Sequence, residues 1–351
     1  MSHIDKYRGF IGTYTKGESE GIYTFLFDAE SGQISEVKPA AKLNNPTYLA
    51  ISKDNNYLYS IVQDGTQGGV AAFSLNSTTG ELQLLNQQLT EGPQPCHVQL
   101  DSENHYLLAA NYHRGTITAY TINAANREVN RQPSVIEHKG KAPVQKPHTH
   151  YATFTPDGRF VAVVDLGIDQ LLTYEIVEDH LQKVSQLDLT PGSGPRHLDF
   201  HPNGKYAYIM TEYSSEVVVL QYHAETGTFT ELQSITTIPA DFTENNQGSA
   251  IHITSDGRYL YAGNRGHNSI AVFAAAETSG RLTFVEHVSS AGDWPRDFAL
   301  DPTEKYMIGS NQESENIVIY RRDLESGRLS LLQSDIHVPH PICIKFLNET
   351  L

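Results

Sequence analysis

One phrase recurs along the chain and limits what it can fold into. It reads Asn45-Pro46-Thr47-Tyr48, then Gln94-Pro95-Cys96-His97, Gly194-Pro195-Arg196-His197 and Trp294-Pro295-Arg296-Asp297. Gln247-Gly248-Ser249-Ala250 is a copy without proline, and His340-Pro341-Ile342-Cys343 is the last. Lys146-Pro147-His148-Thr149-His150 is a copy two residues longer. In the shorter copies 11 positions separate the proline (or Gly248) from the next aromatic, as from 46 to 57; in the long copy 147 to 160 is 13. Alignment on the aromatic sets His150 level with Thr47, Cys96, Arg196, Ser249, Arg296 and Ile342. The steps between them are 49, 54, 46, 53, 47 and 46 residues. A period near 50 restricts the chain to repeated small units, stacked or arranged in a ring.

Each copy continues in the same way. A short alternating run such as Leu198-Asp199-Phe200 meets a turn such as Pro202-Asn203-Gly204-Lys205 or Ser255-Asp256-Gly257-Arg258. Asn-Gly and Asp-Gly between apolar runs signal hairpins. An aromatic-rich run follows, then a third run such as Ser269-Ile270-Ala271-Val272-Phe273, a glycine-containing loop and a short fourth run. Runs this short, β-branched and aromatic, without helical period, are strands. Four antiparallel strands repeated every ~45–50 residues predict propeller blades. The chain opens on a second-strand run, Gly9 to Tyr14, and ends on a lone first-strand run, Pro341 to Leu347. The two ends therefore complete one blade, which closes the ring and protects both edges that would otherwise be exposed. The expected fold is an all-β, seven-bladed β-propeller formed by residues 1–351 as a single domain.

Charge and cysteine content narrow the partners. With 25 Lys+Arg against 41 Asp+Glu the net charge is −16, which disfavours nucleic acid and anionic membranes. Two cysteines, Cys96 and Cys343, exclude a disulfide scaffold and a multi-cysteine zinc site. No apolar run approaches the ~20 residues of a membrane span, and Met1 to Arg8 lacks a signal-peptide core. The expected location is the cytoplasm. Oligomeric state is not legible.

In a propeller the first strand of each blade lines the channel, and strands one and two form a hairpin. The start of strand one and the end of strand two therefore share a rim. That rim collects Arg196, Arg265 and Arg296, with His97, His148, His150 and His197. It also carries Asp165, Glu212 and Asp297, with Asn111, Asn264 and Asn311. Guanidinium forks suit carboxylate or phosphate, histidine and glutamate move protons, and asparagines bind hydroxyls. The opposite rim carries Pro-Asp-Gly-type turns without this mixture. His148 and His150, two apart in a strand, are expected on one face.

The phrases Pro147-His148-Thr149-His150, Asp165-Leu166-Gly167-Ile168-Asp169, Gly194-Pro195-Arg196-His197, Thr211-Glu212-Tyr213 and Gly263-Asn264-Arg265-Gly266-His267-Asn268-Ser269-Ile270 resemble the lactonase propeller family. That family includes propeller-type 6-phosphogluconolactonases and carboxymuconate cyclases. The resemblance runs nearly the whole chain and implies a site without metal or cofactor, acting on anionic substrates. It maps the catalytic set onto His148 or His150, with Arg196, Glu212 and Arg265. Thr211-Glu212-Tyr213 departs from the frequent Asn-Glu-Leu but keeps the glutamate. Asn111, Asp165, His197, Asn264, Arg296, Asp297 and Asn311 are the expected substrate contacts.

Two function classes follow. One is an enzyme opening a small anionic sugar lactone, 6-phosphogluconolactone first, with lactone-forming cyclisation of an unsaturated diacid as its sister reaction. The other is a non-catalytic interaction scaffold, which tolerates any residues in the funnel. The mixed polar rim favours the enzyme, and the Trp-Asp signature of scaffold propellers is absent: the only tryptophan is Trp294, followed by Pro295.

Overall fold

The computed structural model describes residues 6–141 and 145–348; most of the Met1–Arg8 segment lies outside them. Among the described residues are twenty-eight strands and no helix. They form seven four-stranded antiparallel sheets. Six blades are consecutive in sequence, at 49–91, 97–137, 149–188, 195–236, 247–289 and 295–337. The seventh takes its inner strand, Pro341–Phe346, from the C-terminal end and its other three from residues 6–42. Ile11 pairs with Ile344 and Gly12 with Cys343 across this closure. The seven-bladed ring anticipated from the repeat is the fold observed.

The core lies between blades rather than within one centre. Six buried clusters span the seven interfaces; one joins Phe25 and Phe27 to Tyr306 and Ile308, another Leu198 and Ile209 to Ala162 and Leu171. The periodic aromatic explains part of this packing. Tyr206 and Tyr208 donate hydroxyl hydrogen bonds to Thr278 and Gly280 carbonyls in the next blade, at 2.6 and 3.0 Å. Gly280 sits at φ +66°, and any Cβ there would strike the Tyr206 ring. Gly327 repeats the arrangement under Tyr259 at φ +70°. In these blades the glycine of the outer turn therefore serves both the turn and the aromatic of the preceding blade.

The inner strands share a second device. Register slips by one residue between Pro195 and His197, between Pro295 and Asp297, and between Thr149 and Tyr151. The skipped residues are Arg196, Arg296 and His150. A bulge places an extra residue outside the ladder and redirects its side chain. Gly248 to Ile251 carries a comparable irregularity around Ser249. These are the positions the repeat alignment sets level with one another.

Candidate active site

A cavity of about 400 Å³ opens on this rim. Its charged wall consists of His150, Glu212, Arg265 and Arg296. Tyr14, Asn45, Gln63, Gln94, Tyr112 and His113 form the rest of its polar wall, beside Thr47 and Cys96. A similar cavity lies on the opposite rim between Asp101–Glu103 and Pro156–Arg159, but hairpin turns line it and no buried charge converges there.

Glu212 organises the basic groups. Arg196 Nε donates to Glu212 Oε2 at 3.0 Å, and Arg265 Nη2 donates to the same oxygen at 2.7 Å. Each guanidinium has a second, backbone anchor: Arg196 Nη1 on the Ser249 carbonyl at 2.7 Å, Arg265 Nη2 on the Gly248 carbonyl at 2.6 Å. The two arginine side chains are 3% and 4% exposed, so both ion pairs work with little solvent screening. Burial raises the Glu212 carboxyl, but Arg265 and Arg196 outweigh it and hold the group below its ordinary value. It is a carboxylate at neutral pH. Burial, then repulsion from Arg296, lowers Arg196 to about 10; burial, then Arg196 and Arg296, lowers Arg265 to about 9. Arg265 also lies 5.5 Å from the Trp294 ring centroid. Arg196 does not itself line the cavity; it meets it through Glu212.

His150 is buried, and its Nδ1 has no hydrogen-bond partner among the described residues. Burial first, then Arg196, Arg296 and Arg265, hold it well below the usual histidine value. It is neutral at physiological pH. His148 behaves differently. It precedes the strand Thr149–Phe154, and the bulge at His150 breaks the alternation that would set both on one face. Its ring stacks on Tyr112 at 4.2 Å, its Nδ1 lies 2.8 Å from the Tyr112 carbonyl, and it does not line the cavity. Of the two histidines, only His150 reaches the cavity.

Four of the expected contacts turn out to be joints of the scaffold. Asp165 Oδ2 accepts from His138 Nδ1 at 2.7 Å and from Thr149 Oγ1 at 2.9 Å. Its Oδ1 accepts the backbone N–H groups of His148 and Gly167, so the carboxylate is saturated and fully buried. Asn264 donates to the Thr237 carbonyl and accepts from the Thr237 hydroxyl, both at 2.7 Å. Asn111 and Asn311 donate to the carbonyls of Pro93 and Ser290, each at 2.9 Å. Each of the four has at least one partner in the connection entering its own blade: His138 and His148 for Asp165, Thr237 for Asn264, Pro93 for Asn111 and Ser290 for Asn311. A polar side chain at the end of strand two pins this connection, so the repeated Asn/Asp position is architectural.

His197 sits deeper in the channel. Tyr48, His97, Tyr151 and His197 pack there with ring centroids 3.9 to 6.1 Å apart. His197 is 5.2 Å from His150 and backs it. Asp297 faces away from the cavity: its Oδ1 lies 3.3 Å from His252 Nε2, in a group with Asp199 and Lys345 toward the other mouth. Sequence reasoning passed over Tyr14, Asn45, Gln94 and Tyr112 as site residues. Asn45 and Gln94 stand immediately before the repeat prolines, so the phrase itself carried the signal.

Known proteins share this fold. The model of the lactonase family, described as a 7-bladed beta-propeller, matches residues 8–346. A Bacillus subtilis (strain 168) protein named 6-phosphogluconolactonase is 51% identical over 349 residues, covering 99% of this chain and all of its own length. A solved structure from Lactobacillus plantarum is 40% identical with a TM-score of 0.92, covering 97% of this chain and 99% of that one. The periplasmic gluconolactonase of Pseudomonas aeruginosa is 31% identical, also at 0.92, with the same coverage. The chain belongs to the lactonase seven-bladed β-propeller family.

Proposed function

We propose that this chain hydrolyses a sugar lactone, with 6-phosphogluconolactone opened to 6-phosphogluconate as the reaction. The observation that carries this is the convergence of a neutral buried histidine, an arginine-held carboxylate and arginine donors on one cavity of about 400 Å³. The size suits a sugar-phosphate lactone. The relative named 6-phosphogluconolactonase supports the substrate.

The chemistry follows from the protonation states. His150 takes a proton from the attacking water as the water oxygen bonds to the lactone carbonyl carbon. Glu212 Oε1, which accepts no hydrogen bond among the described residues, orients that water. Arg265 has donors not spent on Glu212 or Gly248, and we assign them to the oxyanion that develops on the carbonyl oxygen. Such a donor contributes about 2.7–4 kcal/mol. Collapse of the tetrahedral adduct breaks the bond to the ring oxygen, which takes the proton back from His150. Arg196 is then a positioning residue that fixes Glu212. The same reading takes the chain as a single domain acting in the cytoplasm, where phosphorylated sugars are retained. Among the described residues no helix is long and apolar enough to cross a membrane.

The test is steady-state hydrolysis of 6-phosphogluconolactone and glucono-δ-lactone, corrected for spontaneous opening. Arg196→Lys keeps the charge but cannot span Glu212 and the Ser249 carbonyl together. Its kcat is expected to fall by about 10–100-fold on both substrates, with KM nearly unchanged. A variant equal to wild type would remove Arg196 from the mechanism. A wild type inactive on both substrates would redirect the reading to lactone-forming cyclisation. Turnover is also expected to be unchanged by chelators, because three guanidiniums beside one carboxylate repel a divalent cation. Loss in chelator, restored by one metal, would replace proton transfer by Lewis-acid catalysis.

A further inference from the structure

Two of the three arginines gathered here are anchored by the protein, with Arg265 keeping only the donors assigned above to the oxyanion. Arg196 and Arg265 share Glu212 and each holds a backbone carbonyl. Arg296 has neither kind of partner. Among the described residues no carboxylate lies within salt-bridge distance of it, and its Nε is buried without a hydrogen bond. Its nearest acid in sequence, Asp297, turns to His252 on the other side of the strand. Yet Arg296 lines the cavity, and the bulge between Pro295 and Asp297 is what aims it there.

A buried guanidinium donor without an acceptor is costly, and a bulge costs ladder pairing as well. The bulge recurs in other blades, so what is particular to this one is the unpaired guanidinium donor it carries. Three guanidiniums against the one Glu212 carboxylate leave two positive charges uncompensated in the funnel. This excess is local, since the chain as a whole carries −16. A phosphate monoester near neutral pH carries close to two negative charges and presents oxygens suited to a planar fork. A neutral sugar lactone would leave both positive charges unmatched. Gln94 also lines the cavity, and its amide is of a type suited to a sugar hydroxyl.

We propose that Arg296 is the anchor for the substrate's phosphate and sets the preference for phosphorylated over neutral lactones. This rests on the hydrolase reading and assigns a specificity role within its site. Arg265 and His150 then serve the carbonyl end while Arg296 holds the far end of the same molecule. Arg296 contributes to binding in ground and transition states alike, so it governs KM rather than kcat.

The experiment compares wild type, Arg296→Gln and Arg296→Lys on 6-phosphogluconolactone and glucono-δ-lactone. It adds calorimetric titration of 6-phosphogluconate and inorganic phosphate into each protein. Arg296→Gln is expected to raise KM for the phosphorylated lactone about 10–100-fold, leave the neutral lactone within about twofold, and weaken both titrated anions in parallel. Arg296→Lys should fall between, keeping charge but not the fork. A variant that keeps the wild-type preference and wild-type anion affinity overturns the assignment. So does a uniform loss on both lactones with anion affinity intact. If wild type hydrolyses neither lactone, the hydrolase reading fails, and the titrations still decide: affinity lost only in Arg296→Gln supports the anchor, and equal or absent binding rejects it. Thermal melts of the variants confirm that a loss is not unfolding.

Discussion

A Glu212→Gln enzyme is expected to lose about 100-fold or more in kcat and to unfold about 3–5 kcal/mol more easily. Both effects come from one oxygen. Oε2 accepts from Arg196 and Arg265 at once, and both guanidiniums are nearly inaccessible to water. Glutamine offers one acceptor of the right shape but no charge, so two buried cations face each other with nothing between. The cost is that of breaking a buried pair, which exceeds the net worth of the pair itself. Activity falls because the water loses its orienting carboxylate and Arg265 loses the support that fixes its remaining donors. Glu212→Asp keeps the charge with a shorter reach, so it should recover much of the stability and less of the turnover. A double variant, Glu212→Gln with Arg196→Met, separates the two effects: removing one stranded cation should restore stability without restoring kcat. Chemical denaturation midpoints and initial rates are the measurements. A single variant as stable as wild type would show that water reaches the arginines, and one as active would show that His150 acts without Glu212.

Most of the fold was legible because its unit is repeated. Seven copies of one phrase, five of them followed by an aromatic 11 positions on, constrain strand count, ring closure and the functional rim together. The level alignment of His150 with Arg196 and Arg296 matches three bulged positions, although nothing in a sequence distinguishes a bulge from one more strand residue. That limit produced the misreading of His148. Period-two alternation puts residues 148 and 150 on one face, but the extra residue at His150 breaks the period at that point.

The asparagine positions failed for a different reason. Asn264 and Asn311 have the residue type a sugar site would use and stand on the correct rim. A sequence does not show that the connection entering each blade leaves a carbonyl at that spot, 2.7 Å from Asn264 and 2.9 Å from Asn311. Once a backbone carbonyl must be satisfied, an amide at the end of strand two is the local solution. Repetition itself was the available warning. A residue type recurring in blade after blade serves the blade, whereas Glu212 and Arg265 each occur at positions where other blades carry something else.

Stability is expected to fall steeply between about pH 6.5 and pH 5, before the site's carboxylates titrate. His97, His150 and His197 are all held well below the usual histidine value, in each case first by burial. Lys345 and Arg196 add to this for His97; Arg196 heads the charges acting on His150 and on His197. Unfolding returns each ring to about 6.5. Above pH 7.5 both states are neutral and these groups contribute nothing. As pH falls through 6.5 the unfolded chain takes up protons that the fold excludes, so stability drops with a slope of up to ~1.4 kcal/mol per histidine per pH unit, or ~4 for the three. The loss continues down to their folded values. Asp199 and Asp301, whose carboxyls burial raises, take up protons in the fold before they do in the unfolded chain and so oppose it. Glu212 and Asp297, held low, add their own loss below about pH 4.5. Denaturation midpoints at pH 7.5, 6.5 and 5.5 measure the slope, and His97→Asn should reduce it by about one proton without touching the cavity wall. A midpoint flat from pH 7.5 to 5.5 would mean that these rings are hydrated and ordinary. The same depression has the opposite consequence for turnover. Because His150 stays unprotonated, kcat/KM should show no acid limb near pH 6.5 as long as the protein remains folded. The enzyme should therefore be limited on the acid side by its fold before it is limited by its base.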